Sequence, residues 1–116
     1  MRKKNMKLGI LAISAVFLAV PALATTALAD DAIQLNLKDH KFTPAEIHVK
    51  ANQPAVIVMN NQDSSAEEFD STSLKVEKVV AGNSSGSIRL RPLEPGRYPF
   101  MGEFHAATAQ GVVVAE

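Results

Sequence analysis

The absence of cysteine is the feature that most constrains this chain. None of its 116 residues is a cysteine, so no disulfide stabilises the fold. Packing, strand pairing or a bound ligand must do so instead. The same absence excludes thiol catalysis, disulfide exchange and thiolate ligation of a metal. The length is enough for one small domain and no more.

The first 29 residues have the composition of a secretory signal peptide. Four basic residues precede an almost unbroken apolar run over residues 8–20, which Pro21 ends. Ala27-Leu28-Ala29 fits the small-x-small pattern of a cleavage site. The alternative is an uncleaved membrane anchor, but the apolar run is short for a full span. We therefore expect export to the periplasm and cleavage, which leaves residues 30–116 as one domain without stable membrane insertion.

Removal of the signal peptide changes the charge of the chain. Residues 30–116 contain eight Lys and Arg residues against twelve Asp and Glu residues, a formal charge of −4. They contain no run of basic residues that would follow a phosphate backbone. We therefore expect no nucleic acid partner.

Short apolar–polar alternations separated by turn residues dominate residues 30–116, and no convincing helical pattern lies between them. The segment at 55–59 is apolar on both faces, which is typical of a central strand. Residues 81–86 have the clearest loop composition. The spacing predicts an all-β antiparallel sandwich or barrel of about seven strands. The strand-like segments cover residues 33–37, 46–50, 55–59, 74–80, 88–91, 98–100 and 111–115.

Three segments resemble the cupredoxins, and the resemblance covers essentially all of residues 30–116. Phe42-Thr43-Pro44, followed by Ile47 and Val49, is similar to the start of the family's second strand. Residues 61–63, which lead to Glu67 and Phe69, are similar to the loop that carries the first histidine ligand. Residues 95–100, running through His105 to 111–113, are similar to the second ligand loop and last strand. The resemblance implies a cupredoxin-like antiparallel Greek-key β-sandwich.

The departures from the family pattern bear directly on metal chemistry. A blue-copper site needs two imidazoles, one thiolate and usually a weak axial methionine. By the resemblance, Glu67 stands at the first histidine position, Gly102 at the cysteine position and Thr108 at or near the methionine position. His105 is the one ligand retained. A type 1 blue-copper site is therefore excluded.

A different set of metal ligands remains at the same end of the expected sandwich. We expect one transition-metal ion, copper or iron, bound by Glu67, Glu103 and His105, with Glu68 and Met101 as auxiliary candidates. Carboxylates with an imidazole suit borderline or hard ions. Glu67 shares the parity of Phe69, so it is expected to point inward, and Glu68 outward.

The pairing of Glu67-Glu68-Phe69 with Gly102-Glu103-Phe104-His105 also resembles periplasmic cupredoxin-like proteins of iron-permease systems. That resemblance implies delivery of metal to an inner-membrane iron permease or to an associated periplasmic metal-binding protein. No nucleophile triad or metal-hydrolase motif is present. We therefore do not expect a typical enzyme, although oxidation of Fe(II) at a bound copper is left open.

Two alternatives accompany these expectations. The first is a metal-free binding or assembly module of a membrane transport complex, in which the sandwich presents a sheet edge to a partner. His48 alternates with Ile47 and Val49, which places it on the wet face of its strand, away from the site. His40 lies in the first crossing between strands, and its reach toward the site is left open.

Overall fold

The computed structural model describes residues 31–116, which form nine β-strands and one short 3₁₀ turn. The signal peptide predicted at residues 1–29 lies outside the described residues, as does Asp30. The strands are β1 (Ile33–Lys38), β2 (Lys41–Thr43), β3 (Glu46–Val49), β4 (Ala55–Asn61), β5 (Glu67–Ser71), β6 (Val76–Val80), β7 (Ser84–Leu90), β8 (Gly96–Gly102) and β9 (Gln110–Ala115), and the 3₁₀ turn is Glu103–His105.

The strands form two sheets, of four and five strands. The first has the order β2-β1-β4-β7 and the second the order β3-β9-β8-β5-β6. The predicted all-β sandwich is confirmed. It has nine strands where about seven were expected, and two of its strand pairs are parallel. β1 pairs with β4 in parallel, and so does β3 with β9. Parallel pairing arises because the chain crosses to the other sheet between the paired strands, as β3 does between β1 and β4.

Residues 31–116 contain no candidate transmembrane helix. No helix there has the length and apolar character that crossing a bilayer requires.

Alternating side chains of both sheets meet in one apolar core. Leu35 and Leu37 of β1 and Ile57 and Met59 of β4 are fully buried, because every second residue of a strand faces the same side. The prediction that β4 is a central strand is confirmed, since it lies between β1 and β7.

Three aromatic rings fill the core below one end of the sandwich. Phe69 of β5 and Phe100 of β8 stack with ring centroids 4.7 Å apart, and Phe42 meets Phe100 edge-on at 5.2 Å. Such pairs add about 0.5–1.5 kcal/mol beyond the burial of their area. Glu67 lies two residues before Phe69 on the same buried face of β5. Glu67 therefore faces the same side of β5 as Phe69, at the end of the core that the aromatic cluster fills.

Two segments outside the predicted strands are strands in the structure. Glu67 and Glu68 begin β5, and residues 84–86 begin β7. Ser84, Ser85 and Gly86 have low strand propensity, but each pairs with a residue of β4 in an antiparallel ladder. Pairing with an adjacent strand therefore overrides local propensity here.

A buried asparagine fixes the connection from β4 to β5. The side-chain amide nitrogen of Asn61 donates to the carbonyl oxygens of Ser65, Val80 and Ala81 at 2.9–3.2 Å. Its Oδ1 accepts a hydrogen bond from the backbone N–H of Asp63 at 3.0 Å. These bonds satisfy a buried polar group and hold the loop that carries Asp63 and ends at Glu67.

Candidate metal centre

Glu67 is a carboxylate buried at the end of the core. It is 0 % exposed, so every charge-bearing oxygen needs a partner within the protein. Its Oε1 accepts hydrogen bonds from the backbone N–H groups of Phe104, at 2.8 Å, and Glu68, at 3.1 Å. Its Oε2 lies 2.5 Å from Nδ1 of His105. The prediction that Glu67 points inward is confirmed, and its carboxylate is satisfied by the chain itself.

His105 is oriented by this contact. Because a carboxylate oxygen accepts the hydrogen bond, the ring carries its proton on Nδ1. The side chain is 28 % exposed. Within residues 31–116, Nε2 of His105 has no hydrogen-bond partner. The arrangement leaves the lone pair of Nε2 available to an ion that approaches from solvent.

His40 is the second side chain in contact with the His105 ring that the structure identifies. Its ring stacks on that of His105, with centroids 3.5 Å apart and planes inclined by 9°. His40 lies in the turn between β1 and β2, whose backbone N–H groups at Asp39 and His40 donate to the carboxylate of Asp63 at 2.7 and 3.0 Å. These two bonds, that of His40 foremost, lower the pKa of Asp63 below its ordinary value of 3.8. Sequence reasoning left the reach of His40 open and did not single out Asp63.

A second group of carboxylates lies on the outer face of the five-stranded sheet. Oxygen atoms of Glu68, Asp70 and Glu103 lie within 4.8 Å of one another. Partial burial raises the pKa of Glu68 above its ordinary value of 4.5, and the neighbouring Glu103 raises it further. Glu68 and Asp70 point away from the core, whereas Glu67 points into it. The structure therefore separates the expected carboxylate ligands between two faces of β5.

Met101 belongs to the outer face as well. It pairs with Asp70 of β5 across the ladder, and directly paired residues share a face of the sheet. It is 39 % exposed, and Phe104 in the 3₁₀ turn is 51 % exposed. Of the five expected metal ligands, Glu67 and His105 are brought into contact, Glu68 and Glu103 meet separately, and Met101 lies beside the second group.

His48 lies at the opposite end of the sandwich. Its Nδ1 is 2.7 Å from an oxygen of Glu116, and its Nε2 is 3.0 Å from an oxygen of Glu46. Arg97 also contacts Glu46, at 3.6 Å. The hydrogen bond with Glu116 is the foremost cause that raises the pKa of His48 above 6.5. The placement of His48 on the wet face of its strand is confirmed.

Comparison with known proteins decides the family. The family model described as "Cupredoxin-like domain" matches residues 9–115. The chain belongs to the cupredoxin-like domain family. An uncharacterized protein of Rickettsia prowazekii (strain Madrid E) is 35 % identical over 119 residues, covering 97 % of this chain and 94 % of that protein.

Solved structures of other cupredoxin-like proteins share the fold. The metal-binding domain of the Cu(I)-exporting P-type ATPase CopA of Streptococcus pneumoniae D39, solved with Cu(I), superposes with a TM-score of 0.66 at 20 % identity. It covers 73 % of this chain and 84 % of that one. Auracyanin A, a blue copper protein of Chloroflexus aurantiacus, gives a TM-score of 0.62 at 14 % identity, with 73 % and 98 % covered. At these identities the likeness establishes the fold.

A blue-copper thiolate does not fit this cupredoxin-like domain. Gly102, which the sequence resemblance places at the cysteine position, ends β8 and lies opposite Phe69 of β5. A Cβ atom built on Gly102 would lie 2.7 Å from Cδ of Glu67 and 2.8 Å from Cβ of Ala109. The carboxyl group of Glu67 thus occupies the space that a side chain at position 102 would need. A buried carboxylate, which contacts the partly exposed imidazole of His105, therefore lies against position 102.

Proposed function

We propose that this cupredoxin-like domain binds one transition-metal ion through Nε2 of His105. The contact between Glu67 and His105 is the observation that carries the proposal. Histidines that ligate metals nearly always donate their other ring N–H to a carboxylate, a carbonyl or water, which fixes the tautomer and the ring orientation. Here a fully buried carboxylate accepts from Nδ1 at 2.5 Å. Glu67 then orients the ligand instead of binding the ion.

The carboxylates near the 3₁₀ turn favour a borderline or hard metal ion over a soft one. Glu68, Asp70 and Glu103 place carboxylate oxygens within 4.8 Å of one another on the outer face of the five-stranded sheet, and Glu103 begins the 3₁₀ turn that ends at His105. Imidazole and carboxylate ligands suit Fe, Cu(II), Zn or Mn, whereas soft Cu(I) prefers sulfur. Among these ions, the resemblance to proteins of iron-permease systems favours iron or Cu(II) as the cargo, and no step at a type 1 copper is part of this function.

The finer proposal concerns delivery. The protein carries its ion in the periplasm to an inner-membrane iron permease, or to an associated metal-binding protein. This step is supported by the resemblance of the Glu67-Glu68-Phe69 and Gly102-Glu103-Phe104-His105 segments to proteins of such systems. Exposed Phe104 offers apolar area for a partner beside His105. In iron-starved cells lacking the gene, the parent sequence is expected to restore uptake of radioactive iron, and His105→Ala is not.

Calorimetric titration tests metal binding directly. The metal-free protein is titrated with Cu(II), Zn(II), Mn(II) and, without oxygen, Fe(II). Saturable binding of one ion per chain is expected in the parent and in the matched control His48→Ala, whose histidine lies at the other end of the sandwich. His105→Ala is expected to lose it. Equal affinity in the parent and His105→Ala would place the site elsewhere.

A further pair of variants separates the two groups of carboxylates. Glu68→Gln with Glu103→Gln removes two charges from the outer group and leaves the Glu67–His105 contact in place. If binding persists in this double variant, the outer carboxylates only attract the ion. If no ion binds to the parent protein, the alternative of a metal-free assembly module is favoured, with exposed Phe104 and Met101 as its contact surface.

A further inference from the structure

The turn between β1 and β2 is built to hold one side chain in place. Asp39 and His40 both adopt left-handed backbone conformations, with φ of 51° and 58°. Such conformations are uncommon for residues other than glycine and persist where surrounding contacts enforce them. The enforcing contact here is the carboxylate of Asp63, which accepts both backbone N–H groups. The neighbouring Gln62 N–H donates to the carbonyl of Leu37 at 2.8 Å and ties the same loop to β1.

This turn places the ring of His40 against the ring of His105, where the two rings stack. The lone pair of an imidazole nitrogen lies in the plane of its ring, so a ligand ring must have the ion close to its own plane. The rings of His40 and His105 are nearly parallel, with centroids 3.5 Å apart and planes inclined by 9°. No point near the two rings therefore lies in both ring planes. In this conformation His40 and His105 therefore cannot ligate the same ion, and His40 needs another role.

We propose that His40 is a positioning residue that fixes the ring plane of His105. Glu67 sets the rotation of the His105 ring through Nδ1, and His40 covers one face of the ring, which leaves Nε2 as the ring nitrogen available to an ion. This inference rests on the proposed binding of an ion by His105. It assigns to the β1–β2 turn a part in the site that does not involve ligation.

The two substitutions His40→Ala and His40→Phe distinguish covering from ligation. Phenylalanine keeps a flat ring that can stack but has no nitrogen, whereas alanine removes the ring. Affinity for Cu(II) and Zn(II) is measured by calorimetric titration of the full protein. His40→Ala is expected to lose about tenfold in affinity, the lower end of what loss of a supporting group costs a metal site. His40→Phe is expected to retain the affinity of the parent.

Two results would overturn the proposal. An equal loss of affinity in His40→Phe and His40→Ala would mean that the nitrogen is required and that His40 ligates the ion. Parental affinity in His40→Ala would mean that the stack has no influence on the site. His48→Ala serves as the control for removal of a histidine far from His105.

Nuclear magnetic resonance of the metal-free protein gives a second readout that does not depend on the proposed function. The stacked ring of His40 is expected to shift the ring protons of His105 upfield. The upfield shift should disappear in His40→Ala and remain in His40→Phe. If the parent binds no ion, the proposed function fails, and this spectrum still tests whether the His40 ring stacks on His105, which the positioning role requires. Unchanged His105 ring signals in His40→Ala would contradict the proposal.

Discussion

At the scale of single residues, Glu67 has the most unusual environment. A carboxylate that is 0 % exposed is tolerated because two backbone N–H groups and one imidazole bond to it. Alternation with Phe69 is enough to predict from the sequence that Glu67 faces inward. Its partner could not be predicted in the same way, since His105 lies 38 residues further along the chain. The sequence thus supported Glu67 as a ligand, whereas the geometry favours a supporting role.

Glu67→Gln is expected to invert the tautomer of His105. The amide nitrogen of a glutamine can donate a hydrogen bond to Nδ1 of His105, which favours the tautomer that has its proton on Nε2. A protonated Nε2 has no lone pair for an ion. Metal affinity should fall by about 10–100-fold. Loss of the charge-assisted bonds should also lower the free energy of unfolding by about 1.5–3 kcal/mol. Imidazole nitrogen chemical shifts measure the tautomer, and calorimetric titration measures the affinity.

Glu68→Gln is the matched control for that substitution. It makes the same chemical change one residue along β5, on the outer face of the sheet. It should leave the tautomer of His105 unchanged. A Glu67→Gln protein that keeps the proton on Nδ1 and binds ions as the parent does would show that Glu67 does not control His105.

At the scale of secondary-structure elements, the close approach of β5 and β8 shapes the site. Phe69 and Gly102 are paired across the ladder, and Gly102 has only a hydrogen atom where other residues have a Cβ. That absence makes room for the carboxyl group of Glu67. A glutamate at position 67 of β5 therefore requires a glycine at position 102 of β8.

Gly102→Ala is expected to destabilise the protein by about 1–3 kcal/mol, the usual cost of overpacking. The added Cβ would lie 2.7 Å from Cδ of Glu67 and 2.8 Å from Cβ of Ala109. In a Glu67→Ala background the first of these contacts is gone, so the cost of Gly102→Ala should be smaller. Ala109 remains, and the cost should not vanish. Denaturant unfolding of the parent, both single variants and the double variant measures the coupling.

Additive free energies in that cycle would contradict a direct conflict between positions 67 and 102. The comparison is informative because the two changes are made in adjacent strands that share the buried face at the end of the core.

The sequence predicted the elements better than their partners. Period-2 alternation located most strands, because burial of every second side chain leaves a local trace. Residues 84–86 left no such trace, since their strand state comes from pairing with β4. The parallel pairs and the placement of His40 also depend on contacts between distant segments. Asp63, which holds the turn of His40, lies 23 residues beyond it.

At the scale of the whole molecule, His48 links strand ends of the five-stranded sheet. It contacts Glu46 of β3 and Glu116 just after β9, and its pKa is raised above 6.5. A group whose pKa is higher in the folded state stabilises the fold fully below its unfolded pKa. That stabilisation is lost as the pH rises through the folded pKa. The contribution of His48 is therefore expected to be present in mildly acidic solution and absent in alkaline solution.

His48→Gln tests this pH dependence. The difference in unfolding free energy between parent and variant should be largest in mildly acidic solution, where the carboxylates are ionised and the pH is below the ordinary His pKa of about 6.5. It should disappear as the pH rises through the raised pKa of His48 in the folded state. Because His48 is 54 % exposed, the effect is expected to be small. Glu116→Gln should abolish most of the same dependence. A difference that grows with rising pH would contradict the assignment.

The contact between Glu67 and the space above Gly102 also limits how such a domain can change during evolution. A cysteine introduced at position 102 alone would meet the Glu67 carboxyl group within 3 Å, and a smaller residue introduced at position 67 alone would leave His105 without its partner. Each single step weakens the fold or the site. A thiolate at position 102 is therefore expected to need a second substitution, at position 67, that makes room for it.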